Sequence, residues 1–314
     1  MHQSSTAVAQ KFTMFGKSPI GVFFRLSEML WKFLPTGATR LGPLRAYGSG
    51  LHAIARMRLN RTFYFGTFFL RNRPQLALAG RVAEQVNHES GLRIAILGCS
   101  IGAEVYSILW AIRLKRPDLK IVTIASDISR EALEFAEKGV YPLEGCELTD
   151  EKIFARVTEQ EKLELFHCEA AGMRVKAWLK EGIRWRIADV ADPDLVHALG
   201  QQDIVFANNL LCHMVPGDAE KCLRNIAKLA RPGGYLFVSG VDLDVRASVA
   251  REQKLEPVIE LIRDVHDGDP ALIKDWPFRY WGLEPFDTRR PDWKFRYSSA
   301  FRVNEREGDG ALPQ

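Results

Sequence analysis

Cysteine is scarce in this 314-residue chain: five residues, at 99, 146, 168, 212 and 222, with no C-x-x-C pair. An odd, scattered set argues against a disulfide framework and a zinc site. It suits a reducing compartment, so a cytoplasmic protein without a metal is expected. Long apolar runs are missing too. The first twenty residues carry neither a continuous hydrophobic stretch nor a cleavage signature, so no secretory signal is expected. The apolar stretch 20–34 is interrupted by Arg25, Glu28 and Lys32, which leaves it too short and too charged to span a bilayer. It reads as an amphipathic helix packing on the protein, with peripheral contact at a membrane surface as the alternative. Acidic residues are few in the first 90 positions, which hold 12 Lys/Arg against 3 Asp/Glu. The whole chain is +4, so the remaining 224 residues carry −5. A basic N-terminal module beside an acidic body points to an anionic partner (carboxylate, nucleic acid or anionic lipid) or to a solvated basic face without one.

With 46% hydrophobic and 26% charged residues, the composition is that of an ordinary soluble protein. No internal repeat and no low-complexity segment appears. Residues 1–88 read as a basic helical N-terminal domain punctuated by Pro35, Gly37, Gly42, Pro43, Gly48 and Gly50. The pattern changes at Leu92. Strands are expected at 93–97, 121–126, 183–187, 203–207, 235–239 and 295–302, with helices at 104–115, 130–138, 192–199, 218–229 and 254–265. Strands alternating with helices predict an α/β fold, a mostly parallel sheet covered on both faces. That domain spans 89–303, and the polar tail 304–314 is expected to be disordered.

Gly98-Cys99-Ser100-Ile101-Gly102 fits two chemistries. As G-x-S-x-G it is the nucleophile elbow of a serine hydrolase. As a strand running through a glycine-bearing turn into a helix, it opens a nucleotide-binding crevice. An elbow needs an oxyanion-hole strand earlier in the sheet, and no βαβ pattern precedes residue 92. The position after the first strand therefore favours a cofactor loop, in which Gly98, Ser100 and Gly102 bring backbone close to the ligand. Asp127 ends the second strand, where a carboxylate can accept both hydroxyls of a ribose, unless with Ser129 it merely caps the next helix. Asp189 follows the strand at 183–187, where an adenine edge would lie, and Asn208-Asn209 end the strand at 203–207. Neither G-x-G-x-x-G nor a Walker lysine is present, which disfavours nicotinamide and nucleotide-triphosphate enzymes. S-Adenosylmethionine has no pyrophosphate and needs fewer glycines; it needs an anchor for its ammonium.

Further motifs occur in order: Thr67-Phe68-Phe69-Leu70-Arg71, Ser100-Ile101-Gly102-Ala103-Glu104-Val105-Tyr106-Ser107, Ala125-Ser126-Asp127-Ile128, Gly139-Val140-Tyr141-Pro142, Asp189-Val190, and Phe206-Ala207-Asn208-Asn209-Leu210-Leu211-Cys212-His213-Met214. They resemble T-x-F-F-R, S-T-G-E-E-P-Y-S, A-T-D-I, G-V-Y-R, N-L and F-C-R-N-V-L-I-Y-F of the CheR-type chemotaxis receptor methyltransferases. Those enzymes use S-adenosylmethionine to methyl-esterify glutamate side chains. The resemblance implies a class I methyltransferase-like (Rossmann-like) domain behind an all-helical one. It assigns cofactor contacts to Thr67, Arg71, Glu104, Asp127, Asp189 and Asn209, with Ile128, Val190 and Asn208 beside them in the same motifs. Glu104 would face the methionine ammonium, and Arg71 would reach the reacting centre. Three departures stand out: His213 replaces a tyrosine, Asn208 an arginine, and Ala103 the first glutamate.

The acceptor follows from the nucleophile. A carboxylate, with a reference pKa of roughly 4, needs no general base, and Arg71 could hold it bidentately. An alcohol or amine would need a proton acceptor, a role open to His213 if it is not simply a loop histidine. Residues 142–183 resemble the family's small β-subdomain. An aromatic-rich extension at 254–293 carries "DWPFRYWGLEP", either a lid on a small-substrate pocket or packing at the sheet edge. Three functions are thus weighed: a protein-glutamate methyltransferase, a methyltransferase acting on a small acid or metabolite, and a catalytically silent cofactor-binding module. Nucleic acid is disfavoured as a partner because no N-P-P-Y-type motif appears.

Overall fold

The computed structural model describes residues 19–35, 38, 41–58, 66–86, 91–143, 152–274, 276–278 and 282–304. Two compact units divide it: 1–60 with 271–285, and 61–270 with 286–314.

In the first unit, helices α1 (Pro19–Lys32) and α2 (Gly42–Arg58) accompany the segment 276–285. Trp31 meets Trp276 edge-on at 5.3 Å and Phe24 meets Phe278 at 6.5 Å. Ser27 and Tyr47 share a hydrogen bond of 2.8 Å, and Arg45 pairs with Glu284 at 3.5 Å. One face of α1 is thus spent within the unit, as an amphipathic helix requires. The opposite face leaves Leu26, Leu30 and Phe33 exposed. Of the aromatic segment, Trp276 and Phe278 pack on α1, while Asp275, Arg279, Tyr280 and Trp281 lie outside the described residues, as does the tail beyond 304.

The second unit is built on a seven-stranded sheet in the order β6-β2-β1-β7-β8-β10-β9. Its strands are β1 (Leu92–Leu97), β2 (Ile121–Asp127), β6 (Ile183–Ile187), β7 (Gln202–Asn208), β8 (Ala230–Ser239), β9 (Glu256–Pro257) and β10 (Ala300–Arg302). The five strands β6, β2, β1, β7 and β8 run parallel; β10 and β9 add an antiparallel edge. β1 and β7 are buried almost throughout, as parallel strands covered on both faces must be. Ile94, Ile96, Ile204 and Phe206 serve one core with helices α3 (Arg73–Gln85) and α4 (Ala103–Lys115). Ala95, Leu97, Val205 and Ala207 serve the other, with α8 (Pro216–Ala227) and α9 (Leu243–Glu252); the short helices α5 (Arg130–Lys138), α6 (Glu159–Leu165) and α7 (Leu195–Leu199) precede them. A second sheet, β3 (Val140–Tyr141), β5 (Gly172–Val175) and β4 (Phe166–Glu169), is antiparallel and occupies the region expected to hold a subdomain.

Three expectations need correction. The compact units do not part at residue 88: α3 packs along α4 and belongs with the α/β body. The expected helix at 254–265 is broken into β9 and α10 (Ile262–Asp267), with Lys254 and Leu261 at positive φ, a backbone no helix accommodates. The expected strand at 295–302 begins as helix α11 (Trp293–Tyr297) and becomes strand only at Ala300. There Arg296 turns inward to bond Asp244 at 2.5 Å and, through its carbonyl, Arg246 at 2.6 Å.

Candidate functional site

Strand order reverses between β1 and β7, and the crevice at the carboxyl ends of parallel strands is where such sheets bind ligands. The loop 98–102 leaves β1 there. Gly98 has φ +64, and a Cβ on it would stand 2.9 Å from Leu210 Cδ1, so only glycine lets the two strand ends close together. Ser100 follows at φ +48, a conformation costing of order 1–3 kcal/mol that needs outside support. The support is Asp127, whose Oδ2 accepts the Ser100 amide at 2.8 Å while Oδ1 accepts the Ser129 amide at 3.0 Å. Ser129, not Asp127, caps α5, accepting from Ala132 N at 3.2 Å. Asp127 is therefore a backbone-clamped carboxylate at the end of β2, with lone pairs left over for a ribose diol.

Glu104 lies in the first turn of α4 and is held differently. Its Oε1 accepts from Asn208 Nδ2 at 2.7 Å. Asn208 and Gln75 exchange amide hydrogen bonds of 3.0 and 3.2 Å, and Gln75 Nε2 also donates to Ser299 Oγ at 3.4 Å. Burial pushes the Glu104 carboxyl up to about 7, against the lowering effects of the Asn208 bond and the Arg71 charge. A half-buried carboxylate with one neutral donor and a nearby guanidinium retains unmet capacity for a cation. Cys99 registers both acids. Its thiol is raised well above the usual range by burial first and then by the charges of Asp127 and Glu104.

Arg71 is aimed by the turn before α3. Phe69 N bonds Ile153 O at 2.9 Å, and Leu70, at φ +55, donates its amide to Ser107 Oγ at 3.0 Å. The Phe69 ring packs between Tyr141 and Phe166, 4.9 Å from each. Asn72 caps α3 by accepting from Gln75 N at 3.1 Å. Thr67 is buried in the same turn.

On the other side of the crevice, Asn209 sits at φ +55 against Gly240, where any Cβ would come 2.7 Å from its Cα. Asn209 Oδ1 is buried without a hydrogen-bond partner, one of the orphaned polar atoms that mark ligand sites in native folds. Asp189 is exposed after β6 and accepts the Ala191 amide at 2.8 Å; Val190 is buried and Ile128 is exposed. His213 ends a single 3₁₀ turn, Leu211–His213, half-buried beyond β7.

The structure thus brings Arg71, Glu104 and Asn208 into one interacting set, and ties Ser100 to Asp127. Gln75 and Gly240 were missed from sequence. Gln75 had a signal: it is the polar member of an apolar stripe, 75, 79, 82 and 86, on α3. A clamped aspartate at the end of β2, a half-buried acid opening α4 and an orphaned asparagine oxygen fit a nucleoside bearing an ammonium group.

The family profile described as the SAM-binding domain of CheR methyltransferase matches residues 66–253. The chain belongs to the CheR methyltransferase family. It is an S-adenosylmethionine-dependent methyltransferase with a class I methyltransferase fold. Chemotaxis protein methyltransferase 1 of Vibrio cholerae serotype O1 is 28% identical over 232 residues, covering 70% of this chain and 76% of that protein. Chemotaxis protein methyltransferase 2 of Pseudomonas aeruginosa is 30% identical over 191 residues, 58% of this chain and 64% of that one. Among solved structures, magnesium protoporphyrin IX methyltransferase from Synechocystis PCC 6803 with bound SAM matches 69% of this chain and 86% of its own, at 16% identity and a TM-score of 0.34. No helix among the described residues of this CheR-family chain is long and apolar enough to cross a membrane.

Proposed function

We propose that this CheR-family enzyme methylates a carboxylate, that of a glutamate side chain in a protein, to give a methyl ester in the cytoplasm. The observation that carries the reading is Arg71, whose guanidinium is held by Asp269 and whose charge acts on half-buried Glu104. S-Adenosylmethionine supplies a methyl group on a sulfonium, an electrophile open to any aligned nucleophile. Glu104 would hold its ammonium, Asp127 its ribose, and Asp189 with Ile128 and Val190 its base. A carboxylate arrives ionised, so this chain has only to orient it. Arg71 can do so through two parallel N–H donors, and alignment is the largest part of such a displacement.

His213 favours a second reading, a small acid or metabolite as acceptor. It stands where the resemblance places a tyrosine, and a neutral imidazole can take a proton from a hydroxyl or amine. The exposed apolar face of α1, beside Lys32, supports peripheral contact with an anionic membrane surface, checked by co-sedimentation with acidic vesicles. The deciding experiment incubates labelled S-adenosylmethionine and the full chain with host lysate, then separates protein from small molecules. Label in protein that leaves as methanol on alkaline treatment is expected. Label confined to small molecules, or stable to base, would overturn the glutamate reading.

A further inference from the structure

Two guanidiniums share one buried carboxylate beside Phe68. Asp269 Oδ2 accepts from Arg71 Nε at 2.6 Å, and Oδ1 accepts from Arg156 Nη2 at 3.0 Å. Both arginines lie over the Phe68 ring, their Cζ atoms 5.1 and 4.3 Å from its centroid. Arg156 Nη1 also donates to the backbone oxygen of Arg71, and Arg73 Nη2 donates to the Arg156 oxygen at 2.5 Å. The two guanidiniums share Asp269, Glu104 also feels the Arg71 charge, and the two arginine side chains are 23% and 24% exposed. Asp269 lies beyond the matched span 66–253, and Arg156 comes from the stretch before α6.

We infer that Asp269 is a positioning residue for Arg71, and that Arg156 makes the seat beside Arg71 selective for an anionic acceptor. The inference rests on the reading above, in which Arg71 faces the acceptor. A guanidinium is a planar fork of five donors. With Nε committed to Asp269 and Nη1 reaching Gly66 O at 3.5 Å, the plane of Arg71 is set and the Nη edge keeps one direction. Freed from Asp269, Arg71 would turn about its own side chain and lose the alignment that in-line transfer demands. With the cofactor ammonium balancing Glu104, as the reading above has it, Asp269 cancels only one of the two guanidinium charges and Arg156 supplies the remainder. In a half-buried, low-dielectric setting that remainder discriminates a carboxylate from its neutral isostere.

The test saturates the full chain with S-adenosylhomocysteine and titrates two probes by NMR: N-acetyl-L-glutamate amide and the neutral N-acetyl-L-glutamine amide. The native chain is expected to prefer the glutamate probe at least tenfold. Arg156→Gln should reduce that preference below threefold, and Arg156→Lys, which keeps the charge, should retain most of it. Asp269→Asn makes the seat more positive, yet base-labile methylation of lysate protein should fall at least thirtyfold, with partial rescue by Asp269→Glu. Affinity for S-adenosylhomocysteine, by calorimetry, should stay within threefold throughout. An unchanged probe preference in Arg156→Gln, or Asp269→Asn turnover within threefold of native, overturns the inference alone. Loss of S-adenosylhomocysteine affinity in step with turnover overturns the positioning role as well. A native chain that does not prefer glutamate overturns the carboxylate reading, and the inference with it.

Discussion

The crevice carries two acids with opposite support, Asp127 buried and Glu104 half-buried. Asp127 is clamped by two backbone amides, from the loop after β1 and the turn after β2. Glu104 is held by an amide side chain that is itself held by Gln75. Backbone donors come with the fold and cannot be mutated away. Side-chain donors are a choice of this particular sequence, and they leave Glu104 raised to about 7 by its burial. One acid organises the loop; the other waits for a cation.

The contrast breaks most visibly at Asp127. Asp127→Ala strips two amides of their acceptor, at about 1–3 kcal/mol each, and leaves Ser100 at φ +48 with no side chain to hold it there. Affinity for S-adenosylhomocysteine should fall at least a hundredfold by calorimetry. Retained micromolar binding would remove Asp127 from the site.

Glu104 should respond to pH. Because its value in the folded protein is raised from 4.5 to about 7, its contribution to folding is fully present below 4.5 and is lost as pH rises through about 7. An ammonium ligand selects the ionised form. Affinity for S-adenosylhomocysteine should therefore rise by about tenfold in all as pH rises through about 6 to 7 and level off above. Glu104→Gln should bind about tenfold more weakly at pH 8 and lose that slope. A native profile that is flat across this range would mean that Glu104 does not meet the ammonium.

The two acids were also unequally legible. Asp127 could be placed because a carboxylate at a strand end, 25 residues past the last loop glycine, is visible as spacing. Glu104 emerged only through the family resemblance, with Asn208 and Arg71 marked in the same set of motifs but not their link to it. Gln75 reaches Asn208 from another helix, and Asp269, which holds Arg71, comes from far along the chain, pairings that no local pattern encodes. The parallel strands were readable because burial on both faces makes them apolar runs. The edge was not: β9 has two residues and β10 three, too short for a period to show, and what holds them is antiparallel pairing with each other and with β8. The positive φ of Ser100 suits a nucleophile elbow as well as a cofactor loop. Position in the sheet, not strain, separates the two.

Gln75→Leu sharpens the comparison at lower cost. The leucine fits the apolar stripe of α3, but Asn208 loses the bonds that orient its amide toward Glu104. Stability should fall by about 1–3 kcal/mol in urea unfolding, with affinity for S-adenosylhomocysteine reduced severalfold and the Asp127 end unaffected. Unchanged affinity would show that Asn208 needs no second amide to serve Glu104.

The smallest effect is expected at Arg73, two residues from Arg71 and different in every physical respect. Its guanidinium pairs with Glu161 at 2.5 Å and its side chain is 47% exposed. Glu161 is held down to about 2, chiefly by the Arg73 hydrogen bond, so this pair stabilises above about pH 4.5 and fades as pH falls toward 2. Solvent screens it, and Arg73→Ala should cost no more than about 1 kcal/mol near neutrality. Turnover should stay within threefold of native, while Arg71→Ala loses at least a hundredfold. Arg73 also donates to the carbonyl of Arg156, and that link could carry a larger loss. Were Arg73→Ala to match Arg71→Ala in turnover while leaving S-adenosylhomocysteine binding intact, the active centre would have to be redrawn around Arg156.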